Sequence, residues 1–108
     1  MDVQRALEVL VEPRRRAILE RLRTDPCSVG ELASAAGLSQ PGASKHLRVL
    51  RESGFVAVDK RGTQRVYRLA PEPLMALDAW LADYRARWAS TLDALGRHLD
   101  DEDPEEEQ

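Results

Sequence analysis

The chain has one cysteine, two histidines and no long apolar run in 108 residues. Each scarcity removes a class of function. Cys27 has no thiol partner, so no internal disulfide can form and a reducing compartment is expected. No segment approaches the roughly 20 apolar residues of a membrane span, and the N-terminus lacks a basic stretch followed by an apolar signal core, so a cytoplasmic location without membrane contact is predicted. His46 and His98 stand apart. There is no glycine-rich phosphate loop, no Ser/His/Asp set and no metal dyad, so neither an enzyme nor a cofactor is expected. What is there fits one soluble domain, with 43% apolar and 32% charged residues.

The charge is unevenly placed. The net value is −3, but residues 1–69 hold 13 Lys/Arg against 8 Asp/Glu, whereas residues 70–108 hold 3 against 11. Phosphate binding depends on local cations, and the segment from Ser39 to Arg68 carries Lys45, Arg48, Arg51, Lys60, Arg61, Arg65 and Arg68 against Glu52 and Asp59. A solvated charged surface is the plainer reading. A nucleic-acid face is the sharper one.

The stretch Ser39 to Val56 is the most informative. On a helical wheel Leu47 and Leu50 lie within about 40° of Ala43, while Pro41, Lys45 and Arg48 point the other way, giving one packing face and one cationic face. Upstream, Ser28 and Glu31 have capping-box spacing and Gly37 stands where a helix-ending glycine belongs. Ser39 follows as a fresh N-cap. Two helices joined so closely form a helix-turn-helix, whose second member enters the major groove in proteins that bind DNA this way. After Gly54, the runs Phe55–Lys60 and Gln64–Leu69 flank Arg61-Gly62-Thr63, predicting a hairpin with a basic tip.

Further helices are expected at residues 2–11, from Val3, Ala6, Leu7 and Leu10, and from Pro13, with Ala17, Ile18, Leu19 and Leu22 inward. A long helix is predicted from near Pro73, where Leu74, Leu77, Leu81, Tyr84, Trp88, Leu92, Leu95 and Leu99 advance by three or four residues. From Leu74 to Leu99 it would span on the order of 40 Å. Such a stripe packs either on its own subunit or on a second copy. Asp100 to Gln108 is almost wholly acidic and contains Pro104, which predicts a disordered tail following a domain of residues 1–99. The tail serves solubility or competes with DNA for the basic face.

Together these blocks resemble the ArsR family of winged helix-turn-helix repressors, especially small members without a recognisable metal site. The resemblance covers roughly residues 3 to 99. It rests on Glu12-Pro13-Arg14-Arg15-Arg16-Ala17-Ile18-Leu19, Val29-Gly30-Glu31-Leu32-Ala33, Leu38-Ser39-Gln40-Pro41 through Ser44-Lys45-His46-Leu47-Arg48-Val49-Leu50, Gly54-Phe55-Val56 and Arg65-Val66-Tyr67-Arg68-Leu69. It implies a mainly α fold of about five helices with a two-stranded wing, and a homodimer clasped through its terminal helices. Val3, Leu7, Leu10, Leu77, Leu81, Tyr84, Trp88, Leu92 and Leu95 are the expected interface. It also implies repression at an inverted-repeat operator, with an inducing molecule left unspecified. Family members commonly have Asp where Glu12 stands, so a slightly weaker helix start is expected.

The helix 39–53 and the wing 55–69 supply the candidate DNA-binding residues. Gln40 and Ser44 lie early on the reading helix, where they can reach base edges; Pro41 allows close approach. Lys45 and Arg48 can hold phosphates or read guanine. His46 lies about 60° from the inward direction, so a half-buried hydrogen-bonded role competes with contact to DNA. Ser39 caps the helix, and Lys60, Arg61, Thr63 and Arg65 crown the wing for a minor groove or flanking phosphates. Arg14 and Arg15 are either further phosphate contacts or solvated charges.

Metal-sensing members carry Cys-x-Cys on the helix before the reading helix. Here Ser28 and Gly30 occupy those positions, Cys27 lies one place early, and the final helix offers only His98, so no metal is expected. Cys27 is either an inert thiol or a sensor whose pKa is lowered by the adjacent helix N-terminus. A winged protein-interaction subunit using Tyr84, Trp88 and the leucines is the remaining alternative.

Overall fold

The computed structural model describes residues 2–106, and side chains through residue 98. Five helices and one antiparallel hairpin follow in the order α1 (Val3–Leu10), α2 (Pro13–Leu22), α3 (Val29–Ala36), α4 (Gln40–Glu52), β1 (Val56–Arg61), β2 (Gln64–Leu69) and α5 (Glu72–Glu106). The chain divides into one compact unit through Leu77 and a second from Asp78 onward.

The helix boundaries have local chemical causes. Asp2 caps α1 by accepting from the Gln4 N–H at 3.0 Å, and Glu12 caps α2 by accepting from the Arg14 N–H at 3.1 Å. Glu12 therefore does perform the capping role despite its longer side chain. At α3 the full capping box forms: the Glu31 N–H donates to Ser28 Oγ at 3.3 Å, and the Ser28 N–H donates to Glu31 Oε1 at 2.9 Å.

Two left-handed glycines set the turns on either side of α4. Gly37, at φ 67°, ends α3 while the Leu38 N–H reaches the Ala33 carbonyl at 2.8 Å. Gly54, at φ 82°, ends α4 in the same manner: the Phe55 N–H bonds to the Leu50 carbonyl at 2.8 Å and the Gly54 N–H to the Arg51 carbonyl at 3.1 Å. Both are six-to-one and five-to-two closures of a Schellman motif, which only a residue free to adopt positive φ allows at low cost. Phe55 is then drawn into the core.

That core joins Ala6, Val9, Ile18, Leu32, Leu47, Leu50 and Phe55, all essentially inaccessible to solvent. Each comes from the apolar side of its element, so α4 is fixed by Ala43, Leu47 and Leu50 and its opposite side stays bare. Leu77 belongs to the same core, only 9% exposed, and Val3 and Leu10 pack against it. The expectation that Leu77 faces a second subunit is therefore corrected: this leucine lies where the helix first docks on its own winged unit.

The hairpin ladder runs from Val56↔Leu69 to Arg61↔Gln64 and closes through the two-residue loop Gly62-Thr63, with Gly62 at φ 63°. A type II′ turn requires a glycine at this first central position. Cys27 adds a rung. Its N–H bonds to the Tyr67 carbonyl at 3.0 Å and its carbonyl accepts from the Tyr67 N–H at 2.8 Å.

In the second unit, α5 exposes Trp80, Tyr84, Trp88, Leu92 and Leu95. Trp80 and Tyr84 rings lie 5.3 Å apart, and Tyr84 and Trp88 rings 6.5 Å apart. The irregular tail expected from Asp100 is corrected as far as Glu106, because the backbone is helical through that residue. Glutamate is a good helix former and elongating an existing helix costs little compared with nucleating one, which outweighs the acidic composition. Residues 107 and 108 lie outside the described residues.

Candidate nucleic-acid interface

α4 presents Gln40, Pro41, Ser44, Lys45 and Arg48 to solvent, while His46 is half-buried. Ser39 caps the helix by accepting from the Gly42 N–H at 3.1 Å, so its hydroxyl is already engaged. Gln40 folds towards α3: a Cβ built on Gly30 would lie 3.3 Å from Gln40 Nε2. The bare glycine gives that amide its room. His46 sits near enough to Glu12 to contribute, with Arg14 and Arg15, to holding that carboxyl below its ordinary range; the largest cause is the hydrogen bond from the Arg14 N–H.

On the wing, Lys60, Arg61, Gly62, Thr63, Gln64 and Arg65 are all exposed. Lys60 and Arg65 are direct partners in the ladder. Two like charges opposed across strands disfavour the hairpin, and the neighbouring carboxylate does not relieve them, because Asp59 pairs with Arg68 at 3.0 Å. Among the described residues, the tip cations Lys60, Arg61 and Arg65 therefore have no carboxylate partner.

A polar cleft of about 270 Å³ separates the two elements, lined by Ser44, Leu47, Arg48 and Arg51 from α4 and by Arg65 and Tyr67 from β2. Arg51 is one of the cations that the sequence places in the basic segment, though it is not assigned there to a DNA contact; Tyr67 is not a sequence candidate. Ser44, Arg48 and Arg51 follow at intervals of four and three, so the helical period carried a signal for Arg51.

Two other expectations change. Arg15 is half-buried and donates through Nε to the Val9 carbonyl at 2.8 Å, while Arg16 donates to the Leu10 and Val11 carbonyls. These side chains satisfy the otherwise open carbonyl end of α1, so Arg15 is a structural tie rather than a solvated or phosphate-facing charge. Arg14 lies 3.7 Å from Glu12. Cys27 is 1% exposed, and burial pushes its thiol pKa up, overcoming the opposing pull of Arg21; the lowering expected from the helix N-terminus does not occur. Its Sγ faces the Asp25 carbonyl at 3.4 Å.

Ser28, at the first of the two metal-sensing positions, is consumed by the capping box, and Gly30 has no ligand atom. Among the described residues no group of three or more His, Cys, Asp or Glu side chains is arranged to hold a metal. No described helix is long and apolar enough to cross a membrane.

Comparison with known proteins agrees with this geometry. Residues 10–59 match a family model described as a helix-turn-helix domain. The chain is 40% identical over 98 residues to the HTH-type transcriptional regulator Rv2034 of Mycobacterium tuberculosis, covering 91% of this chain and 89% of that protein. The crystal structure of the ArsR family transcriptional regulator RHA00566 superposes with a TM-score of 0.70 at 35% identity, over 80% of this chain and 94% of the other. The homodimeric winged helix-turn-helix DNA-binding domain of Mb0332 from Mycobacterium bovis gives a TM-score of 0.63 at 33% identity, over 78% and 81% of the two chains.

Proposed function

Because the chain belongs to the ArsR family of winged helix-turn-helix transcriptional regulators, we propose that it is a cytoplasmic homodimeric repressor that reads an inverted-repeat operator with α4 and steadies the duplex with its wing. The observation that carries this reading is the pairing of a rigidly seated helix with bare cations. Ala43, Leu47 and Leu50 anchor α4 from behind, and Lys45 and Arg48 face outward without a carboxylate partner among the described residues.

The roles follow from chemistry. Gln40 offers both a donor and an acceptor, the pattern that pairs with an adenine edge, and Ser44 lies one turn further along. Pro41 brings no donor and permits apolar approach to a thymine methyl. Lys45, Arg48, Lys60, Arg61 and Arg65 neutralise phosphates, while Thr63 and Ser39 lie at the wing turn and at the helix start. His46 supports α4 beside Glu12. Two copies related by a two-fold axis place their reading helices about 34–36 Å apart, one turn of duplex.

The aromatic and leucine stripe of α5 is the proposed seam between those copies, formed by Leu81, Tyr84, Trp88, Leu92 and Leu95. Leu7 and the open edges of Val3 and Leu10 are the proposed contribution of α1. Large apolar side chains repeated along one helix and left in water favour association with a like surface. Occupation of the operator then excludes RNA polymerase. No enzymatic step is assigned.

Fluorescence anisotropy of the purified protein on duplex from upstream of its own gene, against a scrambled duplex, tests the reading. The expected result is tighter binding to the promoter sequence, with affinity falling linearly in log salt for both duplexes. Equal affinity for the two sequences at every salt concentration overturns it in favour of a protein-interaction subunit.

A further inference from the structure

An apolar hollow of about 220 Å³ opens on the winged unit, away from the cationic side of α4. Leu10 of α1, Leu19 of α2, Leu69 at the end of β2 and Leu74 in the first turn of α5 line it, one leucine from each element. Arg16, Glu20 and Arg23 complete the lining. Its exposed surface is almost wholly apolar, so these three charged residues contribute their methylene stems.

The arginine heads have other partners. Arg16 donates to the Leu10 and Val11 carbonyls, and Arg23 donates through Nε to the Glu20 carbonyl at 3.4 Å. Both stems are thereby set in place as hydrocarbon surface, with no polar group turned in to orient a charged ligand. Leu10 and Leu69 stay half-buried and Leu74 is 39% exposed, so the chain by itself leaves this surface in water. An occupant that removes it from water is favoured in proportion to the apolar area covered.

Size and charge point to a small molecule as that occupant. A closed apolar cavity of about 150 Å³ takes benzene, so this hollow suits on the order of ten non-hydrogen atoms. An ordinary protein interface covers about 800 Å² on each partner, far beyond what the hollow offers. Neither Glu20 nor Arg23 has an ion-pair partner among the described residues. An apolar helix laid across the opening would take those charges out of water without pairing them, which is costly. A compact ligand among the leucines leaves them hydrated.

We propose that this hollow is an effector site for a small uncharged hydrophobic molecule, aromatic or alicyclic, of about ten non-hydrogen atoms. Its position gives an occupant leverage. Leu69 forms the last rung of the wing ladder, opposite Val56, and Leu74 begins α5, so the ligand stabilises whichever arrangement of β2 and α5 keeps the hollow open. The regulatory half rests on the proposed DNA reading; the binding half does not.

The binding half is tested with naphthalene and the full-length protein without DNA, followed by leucine methyl NMR. Saturable ring-current shifts are expected at Leu10, Leu19, Leu69 and Leu74, with none of similar size at Leu92 and Leu95. Leu74→Ala should weaken binding about three- to tenfold, and Leu74→Trp, which fills the hollow from a partly exposed position, should abolish it. Unsaturable shifts, saturation at Leu92 and Leu95 instead, or unchanged affinity in folded Leu74→Trp overturns the site. So do contacts between Leu74 methyls and a second copy in a mixed isotope-labelled sample, which would make another subunit the occupant.

The regulatory half is read as promoter affinity with and without saturating naphthalene. A change of fivefold or more is expected in the wild type and none in Leu74→Trp. A saturated site with unchanged promoter affinity overturns the effector role. Should the promoter experiment itself fail, the naphthalene titration retains its meaning.

Discussion

Cys27 and Tyr67 exchange both backbone hydrogen bonds, at 3.0 and 2.8 Å, so the residue that leads into the helix-turn-helix is also a rung of the wing sheet. The pairing ties the start of α3 to β2 through main chain alone. Its side-chain consequence is that the Cys27 thiol is sealed. Burial raises its pKa, which means the folded state retains the thiol proton more strongly than the unfolded chain. The resulting stabilisation is complete below an unfolded value of about 8.5 and is lost as pH rises through the higher folded value. Urea unfolding from about pH 7.5 to about 10.5 should therefore show a steeper alkaline decline for the wild type than for Cys27→Ala. A thiol reagent should label native protein far more slowly than unfolded protein; rapid native labelling would reinstate a sensing role.

The acid side has the opposite sign. Hydrogen bonds from the Arg14 N–H to Glu12, and from Ser28 to Glu31, hold both carboxyls below their ordinary value of 4.5. Their contribution is present above that value and disappears as pH falls towards the folded values. Glu12→Gln with Glu31→Gln should flatten the acid limb of a thermal-stability profile below about pH 4.5. A limb of unchanged steepness would assign acid sensitivity to other carboxylates.

Base reading and phosphate holding predict different mutant signatures. Gln40→Ala should cost about 1–3 kcal/mol at one cognate base pair and relax preference there, with the salt slope unchanged. Lys60→Gln with Arg61→Gln should weaken promoter and scrambled duplexes alike and reduce the log–log salt slope by about 0.9 for each phosphate that is no longer neutralised. Competition binding on a panel of single-base operator variants distinguishes these outcomes. Equal losses from Gln40→Ala on every sequence would remove it as a reader.

Leu77 and Trp88 lie on the same helix and should fail differently. Leu77 is in the core of the winged unit, so Leu77→Ala should lower folding stability by about 2–5 kcal/mol. Trp88 is 53% exposed beside Tyr84, so Trp88→Ala should spare monomer folding and weaken self-association by roughly 2 kcal/mol or more. Sedimentation velocity across a dilution series measures the second effect. A dimer unchanged by Trp88→Ala would place the subunit interface elsewhere.

Much of the fold was legible because several local signals coincided. The wheel of Ala43, Leu47 and Leu50, the capping box at Ser28, and Gly37 and Gly54 all pointed to the same two helices and the same turns. The wing was equally legible from its β-rich runs and Gly62. Legibility failed where tertiary context decides. Arg15 looked like any surface cation, but α1's open carbonyls capture it. Cys27 sits beside a helix N-terminus, yet packing desolvates its thiol. Leu77 shares the period of the outer stripe and belongs to the core, since period gives a face without saying what covers it. The acidic composition of residues 100–106 suggested irregular chain, whereas continuation of an existing helix prevailed.

With Gly62-Thr63 as its entire loop and a paired rung immediately below, the hairpin has no spare length with which to adjust its reach. On the proposed reading, a mismatch between the offset of the wing cations and the groove they meet is absorbed by the flexible side chains of Lys60, Arg61 and Arg65 and by the duplex. Operators rich in pliable pyrimidine–purine steps beneath the wing would then be preferred over stiff ones, a selectivity exerted at base pairs that no side chain touches.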